Sequence, residues 1–494
     1  MVEPVRGCHR ICMASDFFYP NVGGVENHIY ELSARLVSLG HKVIVVTRSY
    51  ARTHRRGGVR YLRTGVKVYY APVPDWWRGT SIPTSICTLP LIHSILVREQ
   101  IDIVHNHQAG SALGHEVSYA AQLLGIPTVY TEHSLMGFED LSSIALNMMM
   151  EFSLCDDSRV ICVSHCAKEN LVLRACISPD IVYVIPNAIN AEEFMPATPE
   201  EREQNRSSCS SSREEGDDEK SVVNVVLLSR LVYRKGMDLA VGAIPELCRR
   251  HKCLHFIVGG DGPMRLAMEE MREREQLQER VEMLGEVPHD RVRDVLVRGD
   301  IFLNCSLTEG FCIAIVEAAA AGLLVVTTSV GGIPEVLPQD MVLYTPASVS
   351  GVVESVSQAI PRVLARDYSE DPYRQHDRVQ RMYNWTDVAR RTERVYAAAI
   401  SDRRSPGGIL HHIKRKWQLG WVAGPFWSLV AVLEYLLLVV CALFVHPPAK
   451  IDTAREIPRS ALSNLSSFLR MPSDHSQAET DEDGCSTQSK HECE

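Results

Sequence analysis

The sequence has no excess of positive charge. Its 494 residues carry a formal net charge of −10 with a pI near 6.0. That excludes a broad nucleic-acid surface and leaves any anionic ligand to a few local cations and helix N-termini. The first ten residues, Met1 to Arg10, hold no apolar stretch of signal-peptide length, so no cleaved secretory signal is expected. A disulfide framework is also missing. The 15 cysteines are odd in number and, like Cys162, Cys305 and Cys312, sit in apolar stretches, as reduced thiols do in a cytosol-facing domain. Cys162, His165 and Cys166 have no second ligand pair at zinc spacing, and buried thiols are expected there. The early glycines do not form G-x-G-x-x-G, which removes the signature of a dinucleotide oxidoreductase.

What is present is an alternation of short apolar runs with helical patterns. Ile11 to Ser15 reads as a buried strand, followed by Gly23-Gly24. Val25, Ile29, Leu32, Leu36 and Leu39 then recur at spacings of four and three, one stripe of an amphipathic helix. Gly40 stops it, and Lys42 to Thr47 is the next strand, which makes a parallel βαβ unit. Similar runs at 66–73, 101–107, 128–132, 160–164 and 183–186 complete a first doubly wound lobe, residues 1–197. Residues 198–221 are rich in Ser, Glu, Asp and Arg with no apolar period and read as a disordered surface insertion. A second α/β lobe, 222–400, has strands at 222–229, 255–259, 281–284, 301–304, 323–327 and 341–344 and ends in a helix from Tyr383 to Ile400.

After a basic linker, 401–420, comes Trp421 to Val445, 25 residues with one charge, Glu434. That is long enough to cross a hydrocarbon core of roughly 30 Å. Lys414, Arg415 and Lys416 precede it and only Lys450 follows closely, so the lobes are expected in the cytosol and the 446–494 tail across the membrane, disordered and lumenal. Glu434 is costly in lipid and is expected to face a partner helix. Asn464-Leu465-Ser466 is a glycosylation signal if the tail is lumenal.

The chemistry-bearing residues fall at strand ends, where open parallel sheets bind ligands. Gly23 and Gly24 allow backbone to approach a ligand at a helix N-terminus. Arg230 and Lys235 place two cations at the end of the second lobe's first strand, suited to a diphosphate. Gly260, Asp261 and Gly262 follow another strand. Glu309 and Glu317 bracket Gly310, Phe311, Cys312 and Ile313, whose N–H groups open a helix, and a carboxylate among apolar residues at 317 needs a reason. His107 and His133 end neighbouring strands, and His133 is placed to orient a hydroxyl. His105 and His107 alternate along one strand without further ligands in view.

These motifs, in this order, resemble the retaining glycosyltransferases of family 4 over about residues 8 to 400: Phe18-Tyr19-Pro20 with Gly23-Gly24-Val25-Glu26, Ile185-Pro186-Asn187, Ser229-Arg230-Leu231 with Lys235-Gly236, Gly260-Asp261-Gly262-Pro263, and Glu309-x7-Glu317. The resemblance implies a GT-B fold, two Rossmann-like lobes around a cleft, here with a C-terminal transmembrane helix. It implies that Arg230 and Lys235 hold a donor diphosphate, that Glu309 and the 310–313 backbone meet the donor sugar, and that Glu317 binds ribose. It implies that Gly23 and Gly24 approach from the opposite lobe, with His133 near the reacting sugar. No metal or other cofactor is expected, in keeping with the lack of an Asp-x-Asp motif in either lobe. Residues 15–26 and the single apolar segment after the second lobe are similar to the subfamily of phosphatidylinositol N-acetylglucosaminyltransferase catalytic subunits. That similarity implies UDP-N-acetylglucosamine as donor, phosphatidylinositol as acceptor, membrane partner subunits and the endoplasmic reticulum membrane. The alternatives are another nucleotide sugar and lipid on the same fold, or a non-catalytic subunit.

Overall fold

The computed structural model describes residues 7–454 apart from 22, 51–56, 78, 82–83, 138–140, 157, 211–221, 367–369, 403–407, 422 and 445–452. Asn464 and the rest of the 455–494 tail lie outside the described residues, as does the second half of the 198–221 insertion.

The first lobe is an eight-stranded sheet in the order Val182–Val184, Arg159–Cys162, Thr128–Glu132, Ile103–His107, Arg10–Ala14, Lys42–Arg48, Lys67–Ala71, Gly58–Tyr61. All pairings are parallel except the last. The second sheet is wholly parallel: Val281–Gly285, Leu254–Gly259, Val223–Leu228, Ile301–Asn304, Leu324–Thr328, Val342–Thr345. Helices cover both faces of such sheets, so their strands are buried runs of Val, Ile and Leu and stand out in the sequence as apolar stretches. The Gly58–Tyr61 edge strand does not stand out, because its residues are mostly exposed.

Four expectations are corrected. The final helix, Trp385–Ser401, crosses back to pack on the first lobe rather than closing the second. The Tyr396 hydroxyl is bonded to His105 Nδ1 (2.7 Å) and Trp385 meets the His28 ring edge-on, contacts that bury its apolar face. Residues 199–210 are a helix, not an irregular segment. Thr198 and Glu201 form a reciprocal capping box, with Thr198 N donating to Glu201 Oε2 (2.8 Å) and Glu201 N to Thr198 Oγ1 (3.2 Å). Arg293 anchors Glu201 with two hydrogen bonds of 3.0 Å.

The third correction concerns the basic linker. It contains a helix, Gly408–Trp417, docked on the first lobe. Lys416 is fully buried against Asp156 (3.3 Å) and the Phe152 carbonyl (2.6 Å), so one of the flanking cations serves the fold. The fourth concerns the apolar helix, Ala423–Phe444, the one described helix long and apolar enough to cross a membrane. Glu434 is covered by this chain's own first lobe rather than by a separate helix. It is 2% exposed, and its charge acts on Tyr119 of that lobe. The Ala454 N–H donates to buried Glu99 of the first lobe (2.8 Å). Burying the Glu99 carboxylate is costly, and its bonds to Lys67 (2.7 Å), the Tyr69 hydroxyl (2.5 Å) and the Ala454 amide offset that cost. Every described cysteine is free.

Candidate active site

The strand ends of the second lobe build one wall of a hollow. Val223–Leu228 delivers Ser229 and Arg230, and Leu254–Gly259 delivers Gly260 and Asp261. They line a cavity of about 410 Å³ together with Glu286 and Glu317. Gly260 has φ +127°, and a Cβ there would lie 1.9 Å from the Ser229 carbonyl oxygen, so this crossing of two loops admits only glycine. Asp261 Oδ1 accepts from Gly262 N (2.7 Å), which is turn chemistry. Arg230 is exposed within the hollow.

Lys235 sits in the 3₁₀ turn Tyr233–Lys235, and Glu309 in the loop after Ile301–Asn304. Their side chains are bonded to each other, Lys235 Nζ to Glu309 Oε1, and Ser306 Oγ adds a bond of 3.0 Å to the same oxygen. A diphosphate that engages Lys235 therefore competes with Glu309 for it. Glu309 is further tied by its carbonyl, which accepts from Gly332 N (2.9 Å).

The helix Ile313–Ala320 has Cys312 as N-cap and no side-chain capping bond, so its first N–H groups point out of the helix end without a side-chain acceptor. Phe311 and Cys312 are buried; the Cys312 thiol is pushed up to about 12 by burial, so it is inert as a nucleophile. Glu317 projects from this helix to the place where the 410 Å³ hollow meets a second one of about 260 Å³. Burial, with the Glu193 charge adding, pushes its carboxyl up to about 7.

The second hollow is where the lobes meet. Gly23, Gly24, Glu26 and Asn27 of the first lobe line it opposite Ile313 and Glu317. Glu26 is raised by burial, while the charges of Arg230 and Arg48 lower it, so the Arg230 field reaches across the cleft. Gly310 also touches the first lobe: a Cβ on it would be 3.2 Å from the His133 carbonyl oxygen.

His133 belongs to a cluster of histidines. Its ring does not line either hollow. It bonds to His107 (3.2 Å between Nε2 and Nδ1) and meets the His28 ring edge-on at 4.6 Å. Burial and the neighbouring histidines hold His107 and His133 well below the usual imidazole range, and burial lowers His28 to about 4, so all are neutral near pH 7. The ring nitrogens of His28, His107 and His133 lie within 4.8 Å of one another. Asn187 holds His28 Nδ1 (2.8 Å) and adjoining His105 Nε2 is bonded to Thr131 (2.6 Å), while His107 Nε2 is buried without a hydrogen-bond partner among the described residues.

Several site-forming residues had no role assigned from sequence. Glu132 accepts from the amides of His133 (3.0 Å) and Ser134 (3.1 Å) and pairs with Arg174 (2.8 Å). Asn187 orients His28. Gly331 and Gly332 carry the loop that meets Glu309 and Gly310. A glycine pair after a strand, the signal that marked Gly23-Gly24, was available for the last of these. Glu132 had the weaker signal of a carboxylate closing an apolar strand.

Two Rossmann-like lobes, with a cation-bearing hollow on one and paired glycines on the other, define a GT-B glycosyltransferase. The Glycosyltransferase Family 4 model matches residues 22–193, and the model of Glycosyl transferases group 1 matches 223–362. Among solved structures, a glycosyltransferase from Rickettsia africae aligns with TM-score 0.62 and 19% identity, covering 80% of this chain and 99% of that one. Anabaena HepE in complex with UDP aligns with TM-score 0.60 and 16% identity, covering 79% and 100%. At these identities the likeness shows the fold. A phosphatidylinositol N-acetylglucosaminyltransferase subunit of Arabidopsis thaliana is 47% identical over 92% of this chain and 96% of its own length. The Homo sapiens protein of the same name is 45% identical, over 92% and 90%. The GPI3 subunit of the same transferase in Saccharomyces cerevisiae is 42% identical, over 92% and 97%. The chain belongs to this family of phosphatidylinositol N-acetylglucosaminyltransferase subunits.

Proposed function

We propose that this chain transfers N-acetylglucosamine from UDP-N-acetylglucosamine to phosphatidylinositol with retention, the first step of glycosylphosphatidylinositol anchor synthesis. It does so as the catalytic subunit of a membrane complex, with its lobes on the cytosolic face of the endoplasmic reticulum and the Ala423–Phe444 helix as anchor. The observation that carries this reading is the meeting of two hollows, one in the second lobe and one where the lobes meet, at Glu317 beside Arg230.

The donor lies in the larger hollow with its ribose at Glu317 and its diphosphate between Arg230, Lys235 and the open end of the Ile313–Ala320 helix. Negative charge that grows on the departing diphosphate is stabilised there by fixed positive charge and N–H groups. Glu309 and the 310–313 backbone meet the sugar. Gly23 and Gly24 let the first lobe close on it and exclude water. The reaction needs no bound metal. The inositol hydroxyl attacks the anomeric carbon from the face that the phosphate leaves, and the phosphate oxygen takes its proton. His133 and its neutral neighbours order the acceptor side without carrying charge.

The direct test is product analysis from microsomes that express the chain with its partner subunits. Labelled UDP-N-acetylglucosamine gives N-acetylglucosaminyl-phosphatidylinositol, and GDP-mannose gives no product; label transfer from GDP-mannose alone would overturn the assignment.

The raised Glu317 carboxyl gives a pH prediction. Above about pH 7 Glu317 is ionised and accepts strong hydrogen bonds from two ribose hydroxyls; below it the proton removes that capacity. UDP affinity therefore falls as pH drops from about 8 to about 6. Glu317→Gln binds more weakly at the upper end of that range and loses the part of the pH dependence that the phosphate's own titration does not supply. Calorimetry of UDP binding on both proteins checks it, and superimposable pH slopes would contradict it.

A further inference from the structure

Three short segments meet at one point between the lobes. In the first sheet the strand Arg159–Cys162 leads to Ser164, which caps the helix His165–Ala175. In the second sheet the strand Leu324–Thr328 leads to the turn Ile333–Glu335. Both segments leave the carboxyl ends of their strands, the side on which open parallel sheets hold ligands. The third segment is Glu309-Gly310.

The helix His165–Ala175 is capped from both lobes. A helix leaves its first N–H groups without partners of its own. Ser164 Oγ takes one of them, accepting from Ala167 N (3.1 Å). The second lobe takes two more. His165 N donates to Glu335 Oε2 (2.7 Å) and Cys166 N to Glu335 Oε1 (2.9 Å). A carboxylate is the acceptor that the positive end of a helix favours. Glu335 is carried on a braced turn. Ile333 and Val336 beside it are buried, and the Tyr344 hydroxyl donates to the carbonyls of Pro334 (3.3 Å) and Leu337 (3.2 Å).

The same turn touches the sugar-facing loop. Gly332 N donates to the Glu309 carbonyl (2.9 Å). A Cβ on Gly332 would lie 2.1 Å from the Gly310 carbonyl oxygen and 2.6 Å from Ser164 Oγ. Its φ is −82°, so glycine is needed here for space and not for backbone conformation. Gly332 thus fills the gap between Gly310 and the capping residue of the first-lobe helix.

We infer that Glu335 is a positioning residue. Seated on the His165–Ala175 helix it fastens the closed lobes, and through Gly332 it sets the Glu309-Gly310 backbone against the donor sugar. The setting suits a contact that forms and breaks in each turnover. Glu335 and His165 are both exposed, so water replaces the two bonds when the lobes part. A buried charge left without its partner would instead resist opening. The inference rests on the donor-site reading above and adds how lobe closure is transmitted to that site.

The test is a double-mutant cycle on the full chain in its complex. Glu335→Ala removes both acceptor oxygens. His165→Pro removes one of the two donors and keeps the helix, because proline suits the first helical position and Ser164 before it is already extended (φ −153°, ψ 166°). Each change lowers kcat for transfer from UDP-N-acetylglucosamine, Glu335→Ala by about five- to tenfold, the worth of an anion at an exposed helix N-terminus. Affinity for UDP, which lacks the sugar, and Tm stay at the parent values. The double variant is no slower than Glu335→Ala alone, since both changes remove the same contact. Parent-level transfer by Glu335→Ala, losses that multiply in the double variant, or a loss of UDP affinity equal to the loss of transfer overturns the inference. A parent complex that makes no N-acetylglucosaminyl-phosphatidylinositol overturns the donor-site reading, and this inference with it.

Discussion

Arg230→Ala lowers the rate of sugar transfer by about 10²–10³-fold while the protein keeps its fold, which is the size of loss seen when one preorganised stabiliser of a developing anion is removed. The expectation rests on position. Arg230 sits just past the end of a central strand, exposed in the donor hollow, where no neighbouring strand needs its side chain for packing. Its charge reaches Glu26 on the opposite lobe, so it occupies the line along which the lobes close. Lys235 does not make up for the loss, because it divides its charge between the diphosphate and Glu309. The loss should appear in kcat more than in the KM for donor, since charge on the departing phosphate is larger in the transition state than in the ground state. Steady-state transfer with purified complex, alongside a thermal unfolding curve, checks both halves. Normal turnover in a normally folded Arg230→Ala protein would remove the main support for the mechanism.

Glu132→Ala costs about 3–5 kcal/mol of stability, the range for breaking a fully buried ion pair by deleting one partner. Glu132 and Arg174 are both 0% exposed. Among the described residues, removing the carboxylate leaves Arg174 the side-chain oxygens of Asn170 (2.9 Å) and Asn147 (3.4 Å). It also frees the amides of His133 and Ser134 and the Tyr130 hydroxyl, each of which now points at Glu132. The loop they hold is the one that meets Gly310, so transfer falls along with stability. The double variant Glu132→Gln, Arg174→Met restores much of the stability because the buried charge is gone. Denaturant unfolding of the two proteins decides it: a single variant within about 1 kcal/mol of the parent would show that the pair does not hold this end of the sheet.

Sequence carried the fold class unusually far, and for a definite reason. Strands of a doubly covered parallel sheet are apolar on both faces, so 11–15, 128–132 and 301–304 stand out as short runs, and the residues just past them are the ligand-facing ones. Arg230, Gly260, Asp261 and Glu317 were found this way, and the structure gathers them around one hollow. His133 follows the end of its strand as the pattern predicts, and its ring packs in a histidine cluster that only the tertiary structure assembles. The Thr198–Glu201 capping box is written in the sequence, but the segment has no apolar stripe, so its helix leaves no periodic signal.

By itself, then, the sequence determined which segments are strands and helices, their order, the positions that fall at the mouth of the cleft, and the presence of one long apolar helix. Only the tertiary structure decided that Lys235 and Glu309 bind each other, that Trp385–Ser401 returns to the first lobe, that Asn187 serves His28, and that Glu434 and Glu99 are buried against their own chain. The division is physical. A period of about 2 or 3.6 records which face of an element shuns water, whereas it carries nothing about which distant surface will cover that face or which donor will reach a buried carboxylate.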